Sequence, residues 1–213
     1  MCFNASISIF SYLFGFINSL ILFKRGYKIE GIFYAFIIQI QLIEYLLWNN
    51  NKKTQLNKYL TKIGIILNQL QPYILYLTII KYSNNIIPLY VHKLMYIFLI
   101  INIIYLYINY KLLFTYTIGI PNKIELQWKI HYGKLKKFYI LFLLIILILM
   151  WNGLTKYKYL NILLVLLTYI GSYIKYNKTK GVGSIWCLYA AYIPFLLNVI
   201  YYVDNERQKQ LSF

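Results

Sequence analysis

The stretch Gln41-Leu42-Ile43-Glu44-Tyr45-Leu46-Leu47-Trp48 ends an apolar run that begins at residue 31. Glu44 is, on this reading, the only acidic residue inside any long apolar run of the chain. A carboxyl group in such a run avoids hydrocarbon and faces protein groups or water. We therefore expect the rest of the fold to enclose Glu44.

The composition of the chain is that of an integral membrane protein. Of 213 residues 61% are hydrophobic and 13% are charged, and the mean hydropathy is +0.57, whereas about a quarter of a soluble domain is charged. The net charge of +17 comes from Lys and Arg in short clusters between apolar runs. Such clusters are typical of loops beside anionic lipid headgroups, and a nucleic-acid-binding module carries a continuous basic stripe instead. We expect the lipid bilayer as a partner and no nucleic acid.

Seven apolar runs approach the ~20 residues that a membrane-spanning helix needs. They predict an all-α fold, a polytopic bundle of seven transmembrane helices that forms a single domain over residues 1–213, with no soluble domain. The runs cover residues 3–23, 31–48, 63–80, 94–114, 138–154, 159–174 and 183–203. The fifth and sixth are short, so a six-helix bundle in which they fuse, or in which one is re-entrant, stays open.

The connections give further expectations. The first run has no basic residue before it and no small-residue cleavage site after it, so it predicts a retained span and not a removed signal peptide. Lys and Arg are more numerous in the even-numbered connections, which favours a cytoplasmic N-terminus. Residues 115–137 contain Pro121, Trp128 and several lysines, a composition that fits either a short helix in the headgroup layer or a solvated loop.

Polar and small residues fall on one face of four of the predicted helices, at spacings of three and four. In the first helix they are Asn4, Ser8, Ser11, Gly15 and Asn18; in the second Gln41, Glu44 and Trp48; in the third Asn68, Gln71 and Pro72; in the last Ser184, Cys187, Ala191, Pro194 and Asn198. These helices are predicted to turn polar faces inward. The stripes also suit simple close packing of membrane helices, and the prolines also suit kinks. The fifth helix, almost without polar groups, is predicted to be the most lipid-exposed.

Helix direction places the polar groups of these four helices near one membrane face. Convergent polar side chains around a buried acid are typical of a binding site, and a neutral Glu44 serving as a hydrogen-bond hub is the structural alternative. The predicted ligand-binding residues are Asn4, Gln41, Glu44, Trp48, Asn68, Gln71, Ser184 and Trp186. The candidates for a catalytic role are Glu44, Cys2 and Cys187.

Three segments together resemble an uncharacterised family of small heptahelical membrane proteins from bacteria and large DNA viruses of protists. The segments are the start Met1-Cys2-Phe3-Asn4, the pattern of Gln41, Glu44 and Trp48, and Gly183-Ser184-Ile185-Trp186-Cys187. Asn4 stands where the family pattern has Ser. The resemblance implies a seven-helix fold and a shared site, and it carries no activity. The abundance of Ile, Lys, Asn, Tyr and Phe is typical of an AT-rich genome and suits a giant-virus source.

The two cysteines leave several interpretations open. Cys2 and Cys187 are predicted at the same membrane face, where they could form a disulfide in an oxidising compartment or remain as inert packing residues. As thiols near Glu44 they could supply a nucleophile or two ligands for zinc. A zinc site needs a fourth ligand, and His92 and His131 lie in or beside connections. We therefore predict no metal site and no other cofactor.

Missing residues exclude several functions of seven-helix proteins. The last run has no lysine for a retinal Schiff base, two histidines are too few for a ceramidase-like zinc site, and Lys81 alone is no receptor-like basic motif. One remaining hypothesis is a transport protein in which Glu44 binds a proton, a cation or another small ligand. The alternative is a membrane-embedded enzyme for lipid or acyl groups with Cys2 or Cys187 as nucleophile. A structural protein of a virion or organelle membrane is the third.

Overall fold

The computed structural model describes residues 4–119, 126–127, 136–154, 156–176 and 182–211. In this part the chain is mostly helical and forms seven helices, two of which are interrupted. The helical segments are α1 (Ala5–Lys24), α2 (Lys28–Ile37), α3 (Gln39–Asn49), α4 (Gln55–Tyr82), α5 (Leu89–Ile108), α6 (Lys136–Gly153), α7 (Lys158–Tyr176), α8 (Val182–Ala190) and α9 (Ile193–Leu211). The segments α2 and α3 follow each other directly, as do α8 and α9.

Five helices of the described residues are long and apolar enough to cross a membrane. They are Ala5–Lys24, Lys28–Asn49, Gln55–Tyr82, Leu89–Ile108 and Trp186–Asp204. Two shorter apolar helices, Ile140–Gly153 and Lys158–Ile174, accompany them. Many large apolar side chains point outward, among them Phe10, Ile17, Ile103 and Leu163, and exposed apolar area of this extent marks a surface that faces lipid or a partner. The expectation of a membrane protein is confirmed at this level.

Several helices begin or end at other residues than the apolar runs do, and local capping explains the differences. The third run begins at residue 63, but α4 begins at Gln55 because the Thr54 hydroxyl accepts a hydrogen bond from the Asn57 N–H at 3.1 Å and caps the helix. The fourth run extends to residue 114, but α5 ends at Ile108, and the Asn109 side chain donates to the Tyr105 carbonyl at 2.8 Å. A short 3-10 helix, Tyr110–Phe114, follows.

The connection after this 3-10 helix adds a small sheet to a fold predicted to be all-α. Strand β1 (Ile118–Gly119) pairs antiparallel with β2 (Leu126–Gln127). Buried Thr117 precedes β1, and its N–H donates to the side chains of Asn57 and Thr61, each at 3.1 Å. The sheet is thereby fixed to the start of α4. The headgroup-layer helix predicted from Pro121 lies outside the described residues.

The prediction that the fifth helix is the most lipid-exposed is wrong. This helix, α6, packs against α4, α5 and α7 and buries Phe142, Ile145, Ile146, Leu149 and Met150 in the main core. A helix that is apolar all round suits the interior of a bundle. In α1 and α5 only 28% of the residues in the membrane-length apolar stretch are buried, whereas 56% are buried in the α2/α3 helix.

Two of the helices are interrupted. The first break lies at Ile38, where the Gln41 N–H bonds to the carbonyl only three residues back and the Gln39 amide donates to the Ala35 carbonyl at 2.9 Å. The second lies at residues 191–192, next to Pro194, which has no N–H to continue the helical pattern. The predicted last span, residues 183–203, is therefore two segments.

Both breaks contact α1 at Gly15. A Cβ atom at this position would lie 2.6 Å from the Ala191 carbonyl oxygen and 2.7 Å from Ile38 Cδ1. One turn further along, the Asn198 amide donates to the Asn18 carbonyl at 2.8 Å. The small-residue stripes of the first and last helices thus face each other, as close packing of membrane helices requires.

Candidate functional site

Glu44 lies inside the protein. Its exposed fraction is 0%, and Gln41, one turn earlier in α3, donates from Nε2 to Glu44 Oε2 at 3.3 Å. Helix α3 packs against α1, α4 and α8. The expectations that Glu44 avoids lipid and that these helices converge are confirmed.

A thiol group of α8 lies near this carboxyl group and interacts with an amide group of α4. Gln71 of α4 is fully buried and donates from Nε2 to Asn68 Oδ1 at 3.2 Å. The Cys187 thiol of α8 interacts with the Gln71 side chain and lies within electrostatic range of Glu44. The Gln71 Oε1 atom is buried and has no hydrogen-bond partner among the described residues. A buried acceptor of this kind costs about 1–3 kcal/mol unless a polar group or water approaches it.

Three of the predicted ligand-binding residues have other contacts. Asn4 is exposed and caps α1, because its Oδ1 accepts from the Ile7 N–H at 2.8 Å. Trp48 packs against Gly119, where a Cβ would come within 2.8 Å of the Trp48 ring. Trp186 lies edge-on to two aromatic rings, Phe142 and Tyr169, with centroids 6.4 and 6.0 Å away.

The remaining predicted residues divide between described and undescribed parts. Cys2 and the side chain of Ser184 lie outside the described residues. Cys187 is a free thiol with 2% of its surface exposed. The described residues contain no group of three or more His, Cys, Asp or Glu side chains that could hold a metal ion. Buried structural cysteines are generally inert, so the burial of Cys187 among the described residues does not favour its reaction with a bulky acyl substrate.

In a Cys2→Ser background, Cys187 is expected to react with a membrane-permeant maleimide about 100-fold more slowly in the folded chain than after denaturation, because labelling needs local opening. Mass spectrometry of samples taken over time measures the rate. A wild-type circular dichroism spectrum would establish that the variant is folded. Equal rates in folded and denatured chain would contradict the burial and restore the nucleophile hypothesis.

A second buried acid occurs at the other end of the same interrupted helix. Glu30 lies in the first turn of α2 and is 7% exposed. Glu44 remains the only acidic residue inside the apolar run 31–48, but the helix begins three residues before this run and therefore includes Glu30. One residue in the sequence could have indicated a buried polar network here, namely Asn161, a polar residue inside the sixth apolar run.

Asn161 connects Glu30 to two tyrosines. Tyr34 donates from its hydroxyl to Asn161 Oδ1 at 3.2 Å, and Asn161 donates from Nδ2 to the Tyr201 hydroxyl at 3.1 Å. Tyr201 in turn donates to Glu30 Oε1 at 3.4 Å. These side chains join α2, α7 and α9 in one buried network. None of these four residues is among the site residues predicted from the sequence.

The segment between α6 and α7 supports this network. Tyr157 has φ +57°, a left-handed conformation that is unusual for a bulky residue. Its ring stacks on Tyr201 with centroids 4.3 Å apart, and its hydroxyl donates to Asp204. Lys156 Nζ lies 3.4 Å from Asp204 Oδ2. Hydrogen bonding with Tyr157, together with the nearby carboxylate, raises the pKa of Lys156, so this lysine is a cation at neutral pH.

Comparisons with known proteins give no information on the function of the chain. No protein-family model, no curated protein and no solved structure matches the chain. The resemblance to small heptahelical membrane proteins therefore stays a prediction.

Proposed function

We propose that the chain is a seven-span membrane protein that transports a proton or a small cation through a site at Glu44, with its N-terminus on the cytoplasmic side. The observation that carries the proposal is the burial of Glu44 in one interrupted helix beside a second interrupted helix. Transport proteins build ion sites near the bilayer midplane from such discontinuous helices. Irregular backbone at that depth is tolerated where protein encloses it or where it lines a cavity.

The position of the breaks supports the proposal. Glu44 follows the Ile38 break by six residues, or ~9 Å of helix, and Cys187 precedes Ala191 by four residues, or ~6 Å. The two segments that carry the site, α3 and α8, therefore extend from the breaks toward the same membrane face. Gly15 brings both breaks into contact with α1, so a change in angle at one break would be felt at the other.

The side chains at the site favour a cation over an anion. Glu44 supplies carboxylate oxygens and Gln71 supplies an amide oxygen without a partner in the described chain. Oxygen atoms are the ligands that hard cations prefer, and a carboxyl group can also carry a proton. The amide hydrogens of Gln41 and Gln71 point to Glu44 Oε2 and Asn68 Oδ1, which orients these oxygens.

The lengths of α6 and α7 support seven spans. They have 18 and 19 residues, which correspond to ~27 and ~29 Å of helix. The hydrocarbon core is about 30 Å thick, so helices of these lengths can cross it where the bilayer thins slightly. The enzyme alternative gains no support from the buried Cys187 thiol.

Infrared difference spectroscopy of the chain in lipid tests this proposal at the binding step. We expect a carboxyl C=O band that disappears when the pH rises or a bound cation replaces the proton, and that is absent from Glu44→Gln. Isotopic exchange into deuterated buffer shifts such a band and identifies it. If the difference spectra of the wild type and Glu44→Gln superimpose, Glu44 does not exchange protons or cations and the proposal fails.

A further inference from the structure

We propose that a second site, a cleft at the opposite end of the bundle from Glu44, binds a small zwitterion with its primary ammonium group at Glu30 and its phosphate group at Lys28 and Lys156. The cleft has a volume of about 220 Å³ and lies between the start of α2 and the ends of α4 and α6. We call it the Glu30 cleft. Glu30 and Glu44 are fourteen residues apart in one interrupted helix, or up to ~21 Å, so the two sites are separate.

Two of the charged side chains in the Glu30 cleft, Lys28 and Glu30, form no ion pair with another described residue. Both line the cleft together with Lys156, and Lys156 is paired with Asp204. A buried carboxylate without a counterion is costly. A ligand that carries both signs of charge would neutralise Glu30 and Lys28 together, which neither a simple anion nor a simple cation can do.

The hydrogen-bond network assigns the ammonium end to Glu30. Tyr34 donates to Asn161, Asn161 to Tyr201, and Tyr201 to Glu30. Because every member donates toward the carboxyl group, the network stabilises negative charge there and fixes its orientation. The Asn161 amide also donates to the Tyr157 carbonyl at 3.2 Å, which fixes the orientation of the amide group. Glu30 is thus oriented as an acceptor for a cationic donor.

The lysines form the end of the site that binds the anionic group of the ligand. Lys28 is exposed, and its Nζ lies 5.4 Å from the centroid of the Tyr82 ring. Lys156 is held by Asp204 and remains 44% exposed, so it can still meet a ligand. The rim between α4 and α6 is fixed by the Ser83 hydroxyl, which donates to the Gly153 carbonyl at 2.8 Å. The cleft is therefore a formed site and needs no folding on binding.

The depth of the cleft in the membrane suggests the source of such a ligand. Trp151, Tyr159 and Lys158 surround the same end of the bundle, with Lys158 Nζ 4.5 Å from the Trp151 ring centroid. Aromatic and basic residues gather at the headgroup level of a membrane. The phosphoethanolamine headgroup of a phospholipid is a zwitterion at that level, and free phosphoethanolamine carries the same ammonium and phosphate groups with one further negative charge on the phosphate. This step rests on the membrane placement proposed above.

The test uses the full chain and two probes. Phosphoethanolamine is titrated into detergent-solubilised protein by calorimetry, and phosphatidylethanolamine retention is measured by native mass spectrometry after release from nanodiscs. We expect at least one probe to bind, with affinity falling tenfold or more in Glu30→Gln and in Lys28→Met. Phosphocholine should bind more weakly, because its quaternary ammonium cannot donate a hydrogen bond to Glu30. Lys158→Met, which removes a lysine at the same end outside the cleft, is the matched control and should bind like the wild type.

The outcomes separate the sources and the proposals. Binding of the lipid alone identifies a headgroup site, and binding of the free compound identifies a site for a soluble zwitterion. Equal binding by the wild type, Glu30→Gln and Lys28→Met, or equal affinity for inorganic phosphate, overturns the proposal, as does the absence of binding by both probes. Because Lys28 is exposed, its variant keeps the test valid if Glu30→Gln does not fold. If the wild type transported no ion, the proposed function would be contradicted, but binding of the zwitterion in the Glu30 cleft would not be.

Discussion

Replacing Glu44 by glutamine is expected to reduce proton or cation flux in proteoliposomes at least tenfold, a change of about 1.4 kcal/mol or more in the barrier. Glutamine has nearly the same shape, and its amide oxygen can still accept from Gln41. It cannot release a proton or carry the charge that a cation would replace. The chain should therefore remain folded, with unchanged helical content and thermal midpoint, while the flux is lost.

Glu44→Asp is the matched variant, because it keeps the carboxyl group and shortens the side chain by one methylene. We expect it to retain measurable flux with altered ion affinity. A dye that reports internal pH or cation concentration measures both variants against the wild type. Wild-type flux in Glu44→Gln would contradict a role for Glu44 in transport, and equal losses in both variants would assign the carboxyl group a structural role.

Gly15→Ala is expected to destabilise the chain by about 1–3 kcal/mol, the usual cost of overpacking. The new Cβ would lie 2.6 Å from the Ala191 carbonyl oxygen, which is backbone and moves only if the α8/α9 break moves. Thermal or denaturant-induced unfolding in detergent, followed by circular dichroism, measures the loss.

The control for this substitution is Gly171→Ala in α7, where a Cβ would meet nothing within 4 Å. Alanine in an open helical position is expected to be neutral or to stabilise by up to ~1 kcal/mol. If Gly15→Ala were as stable as Gly171→Ala, the contact between α1 and the two breaks would be contradicted.

Periodicity in the sequence predicted which helix faces turn inward. The stripe Ser8, Ser11, Gly15 and Asn18 is buried in α1, as are Gln41 and Glu44 in α3 and Gln71 in α4. The spacing predicts the buried face because residues three and four apart share a helix face and because polar groups are costly to expose to lipid. The spacing alone could not distinguish a binding site from close packing, and at Gly15 and Asn198 the contacts are those of packing.

Hydropathy failed at helix ends and at α6 for physical reasons. An apolar window excludes Lys28 and Glu30, although both belong to the first turn of α2, so the Glu30 network was not predicted. The hydropathy of a segment also does not distinguish a helix that faces lipid from one that is buried in the protein core. The apolar helix α6 is buried in the core.

Local contacts limited the residue-level predictions for the site. Asn4 caps its own helix and Trp48 packs on Gly119, and such uses depend on backbone geometry that spacing does not reveal. The break at Ile38 likewise involves no proline or glycine; the Gln39 side chain satisfies the Ala35 carbonyl there.

The most direct test of a transport role is ion flux by the wild-type chain itself. Purified protein is reconstituted in liposomes, a gradient of protons or of one monovalent or divalent cation is imposed, and flux is compared with that of protein-free liposomes and of Glu44→Gln liposomes. We expect saturable flux of a proton or at least one small cation through the wild type, no such flux in protein-free liposomes, and at least tenfold lower flux with Glu44→Gln. Wild-type liposomes that are as tight as protein-free liposomes to every ion in the series would contradict it.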